Sequence, residues 1–357
     1  MQLFNLHIGD QKMKILIVDP ISYIGHVNYN YGIIRGVASF ADYSILVNKK
    51  MRNELIIKGV EEGKFLPSYS EEWNIASLAK KYKFKLVYHC MFRKHFLDVM
   101  KMAKSEYKDY NGIIFTSIDI LSFAPVSFFF SGNYLVVDHG IGMIKTNAIY
   151  RLAWRLCNHK IKLIVLESFI ANMVNLIDNK RKVFVVRHPI PDKIENLMHT
   201  SDGYIKIFAP SASNNVNFIE ELKESEIPDG IIITIKGEEE YKKNGLHIYN
   251  RRITNEEYSD YLAEANYVLL AYEKDYDYRT SAVLFEAARQ DIPVIILDNN
   301  TLRYYKDVFS DNVYLVKSAK EMIDVAFDHI NDKHRSYDLS KYEDVGIGQS
   351  ILNAFEG

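Results

Sequence analysis

The stretch YDYRTSAVLFEAARQDIPVIILD, residues 276–298, joins a polar turn, an apolar helix and a buried strand. Arg279, Thr280 and Ser281 stand directly before AVLFEAARQ, whose apolar residues recur at helical spacing. Pro293 then opens a β-branched run without charge until Asp298, the pattern of a strand covered on both faces. Upstream, YVLLAYE (267–273) is a second such run. Strand, loop, helix, strand is the unit of a doubly wound parallel sheet, in which ligands bind beyond the carboxyl ends of the strands. The polar turn lies at such an end. There the N–H groups of Thr280, Ser281 and Ala282 and the positive end of the helix dipole form an anion site. Arg279 adds a planar fork suited to phosphate. Glu286, inside the helix, is placed to accept hydrogen bonds from two vicinal hydroxyls such as those of a ribose. Diphosphate plus ribose is a nucleotide.

The same unit recurs along the chain. Apolar runs appear at 15–20, 43–48, 85–90, 112–117, 134–139, 162–168 and 182–188, and again at 205–211, 230–237, 246–251, 267–273, 292–298 and 313–316. Helical segments separate most of them. Two successive sets predict an α/β protein of two doubly wound, Rossmann-like domains. The seam falls in HPIPDKIENLMHTSDGY (188–204), where two prolines interrupt the pattern. The expected organisation is an N-terminal domain over 1–190, a C-terminal domain over 200–330, and a tail and last helix over 331–357 that packs back on the first domain.

At 357 residues and 48% hydrophobic, the chain is long enough for two separate cores. Cys90 and Cys157 are too few for a disulfide framework or a cysteine-rich metal site, so both are expected to be free thiols in a reducing compartment. With no basic leader and no long apolar run, the sequence points to the cytoplasm. The net charge of −2 hides an asymmetry: residues 1–199 hold 27 Lys+Arg against 17 Asp+Glu, leaving 17 against 29 in residues 200–357. Much of the positive excess lies in KKYKFKLVYHCMFRKHFLDVMKMAKSEYK (80–108). This segment reads as a solvated helix face or as a surface drawn to an anionic membrane. Nucleic acid is not expected as a partner, because no recognition motif accompanies the charge. Nor is there a G-x-G-x-x-G after a strand, a P-loop or a nucleophile elbow, which argues against a dehydrogenase, a P-loop enzyme and a serine hydrolase.

RTSAVLFEAARQDIPVIILD (279–298) resembles the donor-site helix and following strand of retaining GT-B glycosyltransferases, the large group 1 or family 4-like enzymes. Glu286-Ala287 and Pro293-Val294-Ile295 fall in register with that family's signature. The stretch 246–273 is similar to the family's base-binding segment, and on that likeness Asn250, Arg252 and Ile253 frame the base. Two positions depart from the pattern. Tyr278 stands where a first glutamate often contacts the donor sugar, and PSASNN (210–215) replaces the Gly-Arg after the domain's first strand. Ser211, Ser213 and Asn214 are then expected to hydrogen-bond phosphate, with Arg279 as the main cation, assisted by Lys236 or Arg252.

In the first half, GHVNY (25–29) is similar to the Gly-His-Val/Ile-Asn-Pro stretch of inverting GT-B enzymes, in which the histidine is the general base on the acceptor. YLVVDHG (134–140) is similar to the strand-His-Gly stretch of retaining members, in which the histidine contacts the donor sugar. His26 and His139 are therefore both catalytic candidates, and Gly25, Asn28 and Tyr29 are the expected acceptor-side residues. Retention is favoured over inversion, because the longer likeness lies in the second half. Asp275-Tyr276-Asp277 forms a D-x-D, but the adjacent helix start neutralises phosphate without a metal, so neither metal nor cofactor is expected. The resemblance implies a GT-B glycosyltransferase moving a sugar from a UDP- or GDP-linked donor to a saccharide or lipid-linked acceptor in surface polysaccharide or glycolipid synthesis. The alternatives are a nucleotide-sugar epimerase on the same scaffold and a catalytically silent sugar-nucleotide-binding scaffold.

Overall fold

A computed structural model describes residues 13–67, 85–130, 132–194, 203–211, 214–273, 276, 278–299, 301–332 and 335–357. Ser213, Asp275 and Asp277 lie outside the described residues. The chain forms two compact units, Met1–Pro189 with Ser340–Gly357, and Ile190–Leu339.

In the first unit the described strands are β1 (Lys14–Val18), β2 (Asp42–Leu46), β3 (Gly112–Phe115), β4 (Tyr134–Val137), β5 (Lys162–Val165) and β6 (Lys182–Val185). They form a six-stranded sheet in the order β2-β1-β3-β4-β5-β6, and every pairing is parallel. Parallel neighbours need crossovers, and helices such as Val27–Ala38, Ile120–Val126 and Ser168–Ile177 supply them. One core cluster joins Ile15, Ile17, Ile114, Leu135 and Ile164 of the sheet to Ile33 and Val37 of the first helix and to Ile347, Ile351 and Phe355 of the last, Asp344–Glu356. The first and last helices meet backbone to backbone. A Cβ on Gly348 would lie 2.5 Å from the Gly36 carbonyl oxygen, so only glycine allows this approach.

The run at 85–90, expected as a strand, instead begins the helix Lys85–Glu106. Its apolar residues do not alternate for long. Phe92, Phe96, Val99, Met100 and Ala103 are buried at helical spacing, and that longer period overrides the local β preference.

The second unit contains β7 (Ile205–Ala209), β8 (Ile231–Lys236), β9 (Tyr241–Lys243), β10 (Leu246–Tyr249), β11 (Tyr267–Leu270), β12 (Val294–Leu297) and β13 (Val313–Val316). The described strands form a seven-stranded sheet in the order β13-β12-β11-β7-β8-β10-β9. Only β9 runs antiparallel, against β10. The hairpin turn is Asn244-Gly245, with φ of 39° and 81°, the left-handed pair that a two-residue turn requires. Strand order reverses between β1 and β3 in the first sheet and between β7 and β11 in the second. In each unit that is the point where a doubly wound sheet opens a crevice at its carboxyl edge.

Candidate functional site

At the carboxyl edge of the second sheet, the ends of β7, β8 and β11 are tied together by one residue, Asn214, whose side-chain donors are spent on the strand ends rather than left for a phosphate. Asn214 donates Nδ2 to the carbonyls of Ala209 (3.1 Å) and Lys236 (3.0 Å), and its backbone forms a bridge with Tyr272. Asn215 caps the helix Val216–Glu224, and the Glu273 carboxylate accepts from Val216 N at 3.0 Å. The positive end of that helix is thus already met by an acid of the protein itself.

The helix Ala282–Arg289 is different. Its cap is Ser281, fully buried, whose hydroxyl accepts from Leu284 N (3.3 Å) and pairs with the Tyr272 hydroxyl (2.7 Å). Tyr272 also bonds the Ser211 hydroxyl, and burial pushes its phenol up. The Ser281 and Ser211 side chains therefore meet through a buried tyrosine. Upstream, the Tyr276 ring lies 4.2 Å from that of Tyr272, and its hydroxyl donates to the Thr280 carbonyl at 2.9 Å. Tyr278 takes a left-handed φ of 60°, with its N–H on Thr301 Oγ1 at 2.8 Å. A non-glycine residue held there marks a locally strained turn. Just after it, Arg279 is exposed, with its guanidinium 5.8 Å over the Tyr276 ring. Ala282 is exposed and Thr280 half-buried.

Glu286 faces the helix Asn255–Glu264 and accepts from the Tyr258 hydroxyl. Beside its carboxylate the Tyr258 phenol stays protonated, raised by burial and then by the Glu286 charge. Asn250 and Arg252 are exposed and Ile253 half-buried, on the loop after β10. Lys236 donates to the Asn250 carbonyl and lies 5.5 Å over the Tyr249 ring. Arg251 pairs with Glu257, and hydrogen bonds from Arg251 and Thr254 hold that carboxyl down at about 2. The Tyr258–Glu286 bond links the helix after this loop to the helix after Ser281. A cavity of about 710 Å³ opens elsewhere, among Tyr204, Gly230, Lys243 and His247 near the amino ends of β8 and β10, away from these residues.

In the first unit, the carboxyl edge gathers polar groups around Asp19, which follows β1 and is 1% exposed. Its carboxylate accepts from Ile21 N (3.1 Å), Ser22 N (2.7 Å), Asn30 Nδ2 (2.7 Å) and the Ser117 hydroxyl. His26, at the start of the helix Val27–Ala38, makes no side-chain cap. Instead its ring packs 4.3 Å from that of His139, after β4, and Tyr29 lies between His139 (4.8 Å) and His188 (5.4 Å). The two candidate histidines, far apart in sequence, are thus neighbours. Burial lowers the pKa of His26, and the Asp19 charge opposes that shift. His139 is held well below the ordinary range by burial and by His26, with Nε2 3.0 Å from the Thr116 carbonyl. His188, bonded to the Pro189 carbonyl at 2.8 Å, is lowered by burial to about 4. At neutral pH the cluster is uncharged imidazole beside a carboxylate. His26 Nδ1 and the Tyr29 hydroxyl are buried with no hydrogen-bond partner among the described residues. Gly25 and Asn28 are exposed, whereas Tyr29 is 3% exposed inside the cluster.

Sequence reading did not find Asp19, Tyr258 or Tyr272. A buried acid at the end of β1, in ILIVDP, was the available signal for the first. Among the described residues, no group of three or more His, Cys, Asp or Glu is arranged to hold a metal ion, and Cys90 and Cys157 are free.

No family model matches the sequence, and no curated protein matches it. Solved structures match over nearly the whole chain. HepE from Anabaena, in complex with UDP and glucose, is 13% identical, with 96% of this chain and 99% of that chain covered at a TM-score of 0.63. The lipopolysaccharide outer core galactosyltransferase WaaB, in its apo form, is 12% identical, with 96% and 99% covered at 0.61. A UDP-N-acetylglucosamine 2-epimerase is 11% identical, with 97% and 95% covered at 0.56. At these identities the likeness is one of architecture. The chain has the GT-B fold, two doubly wound Rossmann-like domains, a fold carried by both glycosyltransferases and the 2-epimerase among its structural neighbours.

Proposed function

We propose that the protein is a glycosyltransferase whose second unit holds a UDP- or GDP-linked sugar and whose first unit handles a saccharide or lipid-linked acceptor. The observation that carries this reading is the turn before the helix Ala282–Arg289, at the strand-order reversal of the second sheet. Its cap is buried, and Arg279, two residues before that cap, is exposed. In glycosyl transfer the acceptor oxygen bonds to the anomeric carbon as the bond from that carbon to the diphosphate breaks. The departing diphosphate needs donors, and the acceptor hydroxyl must lose a proton. Arg279 and the amides at Ser281 and Ala282 meet the first need. Glu286, oriented by Tyr258, is assigned the ribose hydroxyls, and Asn250, Arg252 and Ile253 the base. The neutral histidines of the first unit are the candidates for the second need. No metal is required in this scheme.

The test is ligand-dependent stabilisation with UDP, GDP and their sugars, where a ligand at 100 times its dissociation constant stabilises by about 2.7 kcal/mol. Arg279→Ala is expected to weaken nucleoside-diphosphate binding by roughly 1.5–3 kcal/mol, the size of a lost charge-assisted bond. Unchanged affinity in a folded variant removes this site. Epimerised donor appearing without any acceptor would instead assign the epimerase reading, and binding without turnover would assign a silent scaffold.

A further inference from the structure

The helix Ala148–Leu156 of the first unit has two apolar faces. The inner one is explained. Tyr150, Ala153 and Trp154 are buried, and Trp154 Nε1 (2.9 Å) and the Tyr150 hydroxyl both donate to the Asp138 carboxylate. These bonds fix the rotation of the helix. The opposite face carries Ile149, Leu152 and Leu156, spaced so as to fall on one side, and they are 69%, 56% and 60% exposed. Just beyond the helix, Asn158 donates its N–H to Ser127 Oγ (3.0 Å) and its Nδ2 to the Ser127 carbonyl (3.5 Å). This holds the turn Ser127–Phe129 at the helix end, and the turn exposes Phe128 and Phe129. Other exposed aliphatics, such as Ile57 and Leu176, have no second such residue in their own helices.

The stretch of sequence that carries this helix has charge of one sign. Between Asp138 and Glu167 the sequence carries Lys145, Arg151, Arg155, Lys160 and Lys162 and no acidic residue. Lys145, Arg155 and Lys160 are exposed, and the Lys104 ammonium lies 5.2 Å over the Phe129 ring. Arg151 is turned back to the carbonyls of Ile144 (2.9 Å) and Lys145 (2.7 Å). Exposed aliphatic and aromatic side chains bordered by lysine and arginine match the interfacial zone of a bilayer with anionic headgroups. A second copy of the chain fits less well, because a two-fold contact would press the same basic border against itself.

We propose that the face formed by Ile149, Leu152, Leu156, Phe128 and Phe129 docks on an anionic lipid surface, with Arg155, Lys160, Lys145 and Lys104 meeting the headgroup phosphates. No described helix is long and apolar enough to cross a membrane, so the contact is interfacial. The test is flotation of the full chain with vesicles of phosphatidylcholine alone or mixed with phosphatidylglycerol, at low and high salt. Binding is expected to the mixed vesicles and to weaken with salt. Leu152→Ser with Leu156→Ser is expected to lower affinity by roughly tenfold or more, since two partly buried leucines are lost. Arg155→Gln with Lys160→Gln is expected to cost about fivefold per charge and to flatten the salt dependence. All four positions are exposed, and an unchanged unfolding midpoint checks that the variants fold.

No binding to the mixed vesicles at low salt, or undiminished binding by the leucine variant, overturns the proposal. So does equal, salt-insensitive binding to phosphatidylcholine. A concentration-dependent dimer in sedimentation velocity that Leu152→Ser abolishes reassigns the face to a second copy. The readout uses neither donor nor acceptor, so it stands or fails separately from glycosyl transfer.

Discussion

His26 is a neutral imidazole packed against His139 and within the field of the buried Asp19 carboxylate. Burial makes protonation costly, and the carboxylate offsets part of that cost, so under the proposed function this ring is a candidate to take the proton of an attacking acceptor hydroxyl. If it is the base, His26→Ala lowers turnover by about 10²–10⁴-fold, leaves donor affinity nearly unchanged and gives an inverted product in the parent enzyme. NMR of the anomeric proton in the first-formed product reads the outcome. A retained linkage removes His26 as the obligatory base and moves attention to His139. Ser281 and Glu286 are legible in sequence because they sit on one helix whose start and period are local signals. Their partners are not. Tyr272 and Tyr258 reach them from 9 and 28 residues away, and Ser117 reaches Asp19 from 98 residues away. Hydrogen bonds over such separations leave no local pattern.

The helix Asp344–Glu356 packs along Val27–Ala38, and its core residues Ile347, Ile351 and Phe355 join the cluster of the first sheet. Gly36 and Gly348 set how closely the two helices approach. Gly348→Ala is expected to destabilise the first unit by about 1–3 kcal/mol, because the added methyl meets the backbone carbonyl of Gly36 as well as the Ser39 hydroxyl, and rotating Ser39 away would still leave the carbonyl clash. The check is a denaturant midpoint with unchanged slope, and an equally stable variant would show that the helices separate readily. The element order is mostly legible, since buried parallel strands are apolar throughout and the helices between them repeat at the helical period. The misread run at 85–90 shows the limit: a six-residue window looks extended, and only the burial of Phe92, Phe96 and Val99 against the rest of the unit decides for helix.

For the molecule as a whole, several histidines share one direction of shift. Burial lowers His95 and His188 to about 4, and lowers His26 and His139 as well. The unfolded chain therefore binds more protons between about 4 and the ordinary value near 6.5, so this stability is present above 6.5 and is lost as pH falls towards 4. His95 and His188 each contribute up to about 3 kcal/mol on this basis. Asp138, pushed up to about 6 by burial, acts in the opposite sense. The histidines outweigh it, and denaturant unfolding at pH 7 and pH 5 is expected to show lower stability at pH 5. His95→Gln should flatten that dependence, and a protein more stable at pH 5 would refute the assignment.

Sequence alone determined the α/β class, the two doubly wound units and a helix start at Thr280 or Ser281. Each of these rests on short-range periodicity or on a break in it. Tertiary structure decided that His26 and His139 share one cluster with Asp19 and that Tyr258 and Tyr272 orient the residues around Ser281. It also decided which face of the helix Ala148–Leu156 is left uncovered. Those outcomes depend on which strand ends the sheet order brings side by side, and that is a long-range property of packing.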